Sequence, residues 1–137
     1  MPLLSVTTTV RARGTVAPQL AWERYDRLDL WSRWSPQITG VEAEAARLRV
    51  GLRGRVRGPL GVAIPFRVTS VDAAARTWEW QVAIGPLRMT MRHGVTARAG
   101  GSATWLTVTG PGPLVLAYLL PAKIALHRLV NLPFREN

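Results

Sequence analysis

The 137-residue sequence predicts an α+β domain in which one long C-terminal helix is buried against an antiparallel sheet of about seven strands. Three observations predict this class. Segments in which apolar and polar side chains alternate recur along the chain, separated by short turns rich in glycine and proline. Residues 16–36 interrupt these segments with a helical pattern. Residues 114–132 are rich in leucine and alanine and show no alternation, as expected of a helix.

The strands are predicted from the two-residue alternation. The first covers residues 5–16, and the others are, in order, 38–45, 47–58, 64–71, 77–84, 87–98 and 102–109. The alternation is clearest in 47–58, where one face is apolar and the other carries five arginines. The apolar face consists of Leu48, Val50, Leu52 and Val56, and the basic face of Arg47, Arg49, Arg53, Arg55 and Arg57. We therefore expect one side of this strand in the core and the other in water.

Residues 16–36 are predicted to form two short helices directly after the first strand. Pro18 suits the first turn of a helix, where its missing N–H costs nothing. The unit ends at Pro36, because the residue before a proline is disfavoured in the helical region. The segment carries three tryptophans. We expect Trp22 to anchor it to the sheet, and Trp31 or Trp34 to form part of a pocket rim.

The C-terminal helix contains Pro121, which is expected to kink the helix or to split it in two. Membrane insertion is the alternative interpretation of this apolar segment. A membrane span needs roughly 20 apolar residues, and the uncharged stretch here is about half that length. We therefore expect no transmembrane segment and a helix buried against the sheet.

Length and composition favour a single folded domain covering residues 1–137, since 47% of the residues are hydrophobic and 19% are charged. The N-terminal residues lack the apolar run of a signal peptide, so we expect a cytoplasmic protein. The absence of cysteine excludes disulfides and thiolate metal sites. The formal net charge is +10, and the basic residues are dispersed rather than clustered in runs. This pattern predicts no nucleic-acid binding and leaves an acidic carrier protein as a candidate partner.

A resemblance to a known superfamily rests on positions scattered over essentially the whole chain. They are Val16-Ala17-Pro18, Trp22, Asp29, Trp34-Ser35-Pro36, Ile38, Val41-Glu42, Trp78, Trp80 and Gly101-Ser102. With the order of elements, these positions resemble the SRPBCC superfamily, which includes START-type lipid-transfer domains, the birch pollen allergen group and polyketide cyclase/dehydrase proteins. The resemblance implies a helix-grip fold, in which a curled sheet wraps around the long helix and leaves an apolar cavity. The chain departs from the pattern at residues 100–102, where Gly-Gly-Ser replaces the common Gly-Gly-Thr.

The alternation supplies candidate walls for that cavity. The residues that we expect to contact a ligand are Trp34, Phe66, Trp80, Met89, Met91, His93, Trp105, Tyr118 and Ile124. Such a wall is apolar with few polar groups, as is usual for small-molecule sites. The alternative is a core that the six tryptophans fill completely, leaving no room for a ligand.

His93 and Tyr118 are the candidate catalytic residues. His93 has the same inward phase as the two methionines before it, and the pKa of an imidazole suits acid–base work near neutral pH. The alternative for His93 is a neutral side chain hydrogen-bonded to a neighbouring element, the commoner role of a buried histidine. The Tyr118 hydroxyl faces either the cavity or water. With two isolated histidines and no nucleotide-binding glycine loop, we expect no metal and no cofactor.

The sequence is consistent with three functions. The first is binding of a hydrophobic or aromatic small molecule, of a lipid or polyketide type, in the internal cavity. The second is a polyketide cyclase/dehydrase-type enzyme that shapes its substrate and transfers a proton through His93 or Tyr118. The third is a structural or regulatory protein that binds an acidic partner through the arginine face, although a solvated outer face explains those arginines more simply.

Overall fold

A computed structural model describes residues 4–133, in which seven strands form one antiparallel sheet. The spatial order of the strands is β1-β7-β6-β5-β4-β3-β2. The elements are, in chain order, β1 (Ser5–Gly14), α1 (Pro18–Asp26), α2 (Trp31–Trp34), β2 (Gly40–Ala43), β3 (Arg53–Arg57), β4 (Ala63–Asp72), β5 (Thr77–Ile84), β6 (Leu87–Arg98), β7 (Gly101–Pro111) and α3 (Gly112–Asn131). The predicted helix-grip architecture is confirmed.

The sheet buries one face and exposes the other, because successive side chains of a strand point to opposite sides. In β5, Trp78, Trp80 and Val82 are buried, whereas the residues between them are more exposed. Helix α3 lies against the buried face and contacts β1 and β7. The side chains that α3 contributes to the core are Val115, Ala122, Ala125, Leu126, Leu129 and Val130.

Residues 16–36, here called the helical insert, pack against both the sheet and α3. Within the insert, the indole N–H of Trp31 donates to the carbonyl oxygen of Tyr25 at 2.8 Å, and that of Trp34 to the carbonyl oxygen of Arg24 at 2.9 Å. The buried guanidinium of Arg24 donates to the carbonyl oxygen of Leu129 at 2.7 Å, near the C-terminal end of α3. The predicted anchoring by Trp22 agrees with its burial.

The prediction of one continuous strand over 47–58 is wrong. Only Arg53–Arg57 form β3, because the chain turns at Gly51, whose φ of +87° lies in the left-handed region. This turn leaves Val50 63% exposed, so its predicted inward position is also wrong. Arg47 lies outside β3 and forms ion pairs with Glu23 and Asp26, at 3.0 and 2.7 Å. The arginine row is therefore shorter than the alternation suggests.

Helix α3 continues through Pro121 as one helix, so the predicted split does not occur. By length and composition Gly112–Asn131 would be sufficient to cross a membrane, and the expected absence of a transmembrane segment is therefore not confirmed. The core helix of a soluble protein satisfies the same criterion. In this structure one side of α3 is buried on the sheet.

Candidate functional site

The main cavity lies between the sheet and the N-terminal half of α3, and its volume is about 270 Å³. The 3₁₀ turn Pro59–Gly61, between β3 and β4, contributes Pro59 to its wall. Apolar side chains from five elements and two connecting segments form most of the wall. The lining residues are Gln37, Ile38, Val56, Gly58, Pro59, Val62, Ile64, Trp80, Val82, Ile84, Met89, Met91, Tyr118 and Pro121.

Among residues 4–133 no charged side chain lines this cavity, and its polar side-chain groups are few. The amide of Gln37 and the hydroxyl of Tyr118 both line this cavity. Burial raises the pKa of Tyr118 to about 12, and the Gln37 amide partly offsets this rise. The third polar group, the indole N–H of Trp80, is occupied by His93. The wall therefore offers a ligand one polar point, at Tyr118 and Gln37.

A cluster of aromatic rings fills the interior beyond the main cavity. The Trp31 ring lies 5.1 Å from that of Trp80 and 5.7 Å from that of Phe66, measured between centroids. Trp78 stacks on His93 at 4.6 Å, with an angle of 11° between the rings. Only about 20 Å³ remains here, in a small inner cavity that shares Trp80 with the main one. The interior is therefore filled by aromatic rings around Trp78 and His93, as one expectation had it, and open at the main cavity, as the other had it.

His93 is held in a chain of hydrogen bonds that uses both ring nitrogens. The indole N–H of Trp80 donates to Nε2 at 3.1 Å, and because an indole nitrogen only donates, Nε2 carries no proton. Nδ1–H then donates to the hydroxyl of Tyr25 at 3.3 Å. That hydroxyl donates to Oγ1 of Thr104 at 2.6 Å. The Thr104 hydroxyl in turn donates to the carbonyl oxygen of Gly94 at 2.8 Å. Burial lowers the pKa of His93 to about 3, so the ring is neutral.

The structure separates the predicted site residues into three groups. Trp80, Met89, Met91 and Tyr118 line the main cavity. Trp34 and His93 line only the inner cavity, which Trp80 and Tyr118 line as well, and Phe66 belongs to the aromatic cluster rather than to either cavity wall. The remaining two, Trp105 and Ile124, are away from both cavities.

The inward positions predicted for Trp105 and Ile124 are wrong. Trp105 lies on the outer face of β7, because the residues on either side of it, Thr104 and Leu106, are the buried ones. Its indole covers Gly94 on the neighbouring strand. Ile124 is 46% exposed, since it lies on the side of α3 that faces away from the sheet.

Tyr25 and Gln37 are site residues that sequence reasoning missed. A signal for Tyr25 was available, because Ala21, Tyr25 and Leu28 follow one another at the spacing of a buried helical face, and all three are buried. No comparable signal existed for Gln37, which lies in the irregular segment between α2 and β2.

A second concavity, of about 490 Å³, is larger but has the opposite character. It is a shallow depression along the edge strand β1, and its basic lining residues are Arg11, Arg13, Arg98, Lys123 and His127. All five are exposed, and Lys123 donates to the carbonyl oxygen of Arg11. The smaller, more enclosed apolar cavity is therefore the better candidate site. Across residues 4–133 there is no cluster of three metal-ligating side chains.

Comparisons with known proteins agree with this geometry. A family model described as polyketide cyclase/dehydrase and lipid transport matches residues 4–129. A search of curated proteins finds no match. Among solved structures, the crystal structure of Ara h 8.0201 is similar, with a TM-score of 0.75 and 14% sequence identity over 92% of this chain and 95% of that chain. At this identity the likeness concerns the fold. The chain belongs to the polyketide cyclase/dehydrase and lipid transport family of the SRPBCC superfamily.

Proposed function

We propose that this protein binds a small hydrophobic or aromatic molecule, of a lipid or polyketide type, in the main cavity. The observation that carries the proposal is a partly enclosed space walled by apolar side chains, to which the described part of the chain contributes no charged group. Small-molecule sites have this composition and usually measure about 300–1,000 Å³. The volume of about 270 Å³ lies just below that range and favours a compact ligand. The family description, which includes lipid transport, supports the same class of function.

Catalysis on the bound molecule is the second candidate, because Tyr118 places a hydroxyl in the cavity wall. A pKa of about 12 makes this hydroxyl a weak proton donor at neutral pH. His93 is less suited to the catalytic role expected for it, since Trp80 and Tyr25 occupy its two nitrogens. These two features favour binding over a cyclase or dehydrase reaction.

Titration with N-phenyl-1-naphthylamine, a neutral apolar fluorophore, tests the proposal. We expect saturable binding of one probe per chain. Ile84→Phe enlarges a side chain that lines the cavity, and we expect about tenfold weaker binding, as overpacking by about 1–3 kcal/mol implies. Ala83→Met adds a side chain to the outer face of the same strand and serves as the control. Fluorescence that rises without saturation, or that both variants leave unchanged, contradicts the proposal.

Binding of an acidic carrier protein to the arginine-bearing outer face stays a prediction. On the outer face, Arg57 forms an ion pair with Glu42, while Arg53 and Arg55 lie in the same strand. Salt-dependent binding that weakens when Arg53 and Arg55 are neutralised would support such a partner. The cytoplasmic location also stays a prediction.

A further inference from the structure

We infer that the ligand is a neutral molecule with an aromatic body and one hydrogen-bond acceptor oxygen, which it places against Tyr118 and Gln37. This inference rests on the proposed function and adds the chemical class of the ligand to it. Three features of the cavity carry it: the donors left over at the polar pair, the absence of a cation, and the nature of the wall around Trp80.

The polar pair has donors to spare. The Gln37 amide brings two N–H groups and the Tyr118 hydroxyl brings one O–H, and both residues line the cavity. A hydrogen bond between the two groups would use one of these three donors and leave two for a third partner. Because the pKa of Tyr118 stays far above neutral pH, its hydroxyl keeps its proton. A carbonyl, ether or hydroxyl oxygen on the ligand complements such a pair.

The wall that the described residues form has no charge to balance a charged ligand. Moving a carboxylate from water into an apolar site without a cation is costly. The two basic side chains on the C-terminal half of α3 are engaged elsewhere. Lys123 donates to the carbonyl oxygen of Arg11, and Arg128 donates to those of Trp34 and Arg33, at 3.2 and 3.0 Å. The cavity therefore favours a neutral molecule over an anion of equal size.

The rest of the wall suits an aromatic body. Trp80 contributes an indole, and Met89 and Met91 on the adjacent strand contribute thioethers. Aromatic rings pair favourably with each other and with methionine sulfur. The two flexible methionine side chains also adapt to ring outlines that a rigid wall would reject.

Three naphthalenes of similar size test the inference at pH 7. 2-Acetylnaphthalene is neutral and has an acceptor oxygen, 2-ethylnaphthalene is neutral without one, and 2-naphthoate is an anion. We expect the acetyl compound to bind about two- to tenfold more tightly than the ethyl compound, the gain of one hydrogen bond. We expect 2-naphthoate to bind at least about tenfold more weakly than the acetyl compound. Intrinsic tryptophan fluorescence gives the dissociation constants, because Trp80 lines the cavity.

Variants of the polar pair identify its role. Tyr118→Phe and Gln37→Leu should each reduce the ratio of the acetyl to the ethyl affinity towards one, whereas Leu120→Ala, on the exposed side of α3, should leave this ratio unchanged. Equal binding of all three naphthalenes by the unmodified protein would overturn the inference, as would a ratio that survives both polar-pair variants. In either case the proposed function would stand. If no naphthalene binds saturably, the proposed function itself fails.

Discussion

The hydroxyl of Tyr25 lies 3.3 Å from Nδ1 of His93, and this contact joins α1 to the middle of the sheet. On the far side of the imidazole, Trp80 donates to Nε2, and on the far side of the hydroxyl, Thr104 accepts. Each proton in this series of hydrogen bonds has an acceptor. The series is complete only when His93 is neutral with its proton on Nδ1. A histidine held in this way links the helical insert to the sheet.

Removing the Tyr25 hydroxyl should therefore destabilise the fold. We expect Tyr25→Phe to lower the free energy of unfolding by about 1–3 kcal/mol, because His93 and Thr104 would each lose a partner in a buried site. Thr104→Val should cost a similar amount. Urea denaturation of both single variants and the double variant checks this, and the double variant should lose less than the sum of the two. Strictly additive losses would show that the two groups act independently.

The stability of the protein should fall in mild acid because of His93. Its pKa is about 3 in the folded protein, below the usual 6.5 of an unfolded chain. Above pH 6.5 neither state is protonated at His93, and this group adds no pH dependence. As the pH falls below 6.5, the unfolded chain binds a proton that the folded protein excludes. The free energy of unfolding should then decrease by up to about 1.4 kcal/mol per pH unit.

Denaturation at pH 7, 6 and 5 measures this slope. In His93→Gln the dependence should be much flatter over the same range, although the variant is less stable at every pH. His127→Gln is the matched control, since it removes the other histidine of the chain at an exposed position on α3, and its slope should be steeper than that of His93→Gln. An equal slope in His93→Gln and in the unmodified protein would contradict the assignment.

Much of the fold could be predicted from local patterns. Strands β5 and β6 begin and end where alternation predicts, because each has one buried and one exposed face. The same reasoning failed between residues 47 and 52, where a left-handed turn at Gly51 interrupts an unbroken alternation. Gly51 was visible in the sequence, but its backbone N–H donates to the carbonyl oxygen of Val68 on β4, a contact that the local pattern does not reveal.

The site was less accessible to sequence reasoning, because it depends on contacts between distant residues. Alternation places His93 in the core correctly, but its partner Tyr25 is 68 residues away along the chain. The alternation in the last strand was interpreted with Trp105 facing inward, but the buried residues of β7 are its neighbours Thr104 and Leu106, so the predicted phase was wrong by one residue. The outer face has room for a ring of this size because Gly94, opposite Trp105 on the neighbouring strand β6, has no side chain.

Gly94 and Trp105 should be energetically coupled. A Cβ atom at position 94 would overlap the indole of Trp105, so Gly94→Ala should force the ring outward and cost about 1–2 kcal/mol. In a Trp105→Ala background the same substitution should become neutral or stabilising by about 0.5 kcal/mol, because alanine restricts the unfolded chain more than glycine does. Chemical denaturation of the four proteins gives the coupling. A loss that is the same in both backgrounds would contradict the predicted overlap.

Leu60 should be a position where substitution increases stability. It is fully exposed in the turn beside the cavity, and its φ of 62° and ψ of 27° lie in the left-handed region, which leucine disfavours by roughly 1–2 kcal/mol. Asparagine tolerates this conformation much better. We expect Leu60→Asn to raise the free energy of unfolding by about 0.5–1 kcal/mol.

Leu120→Asn is the control for this effect, because Leu120 is also exposed but helical. There asparagine should lower the free energy of unfolding by up to about 0.7 kcal/mol, through its poorer helix propensity. Opposite signs at the two positions would assign the gain at residue 60 to relief of backbone strain, since both substitutions remove exposed apolar surface. A gain of equal size at both positions would instead assign it to the loss of that surface.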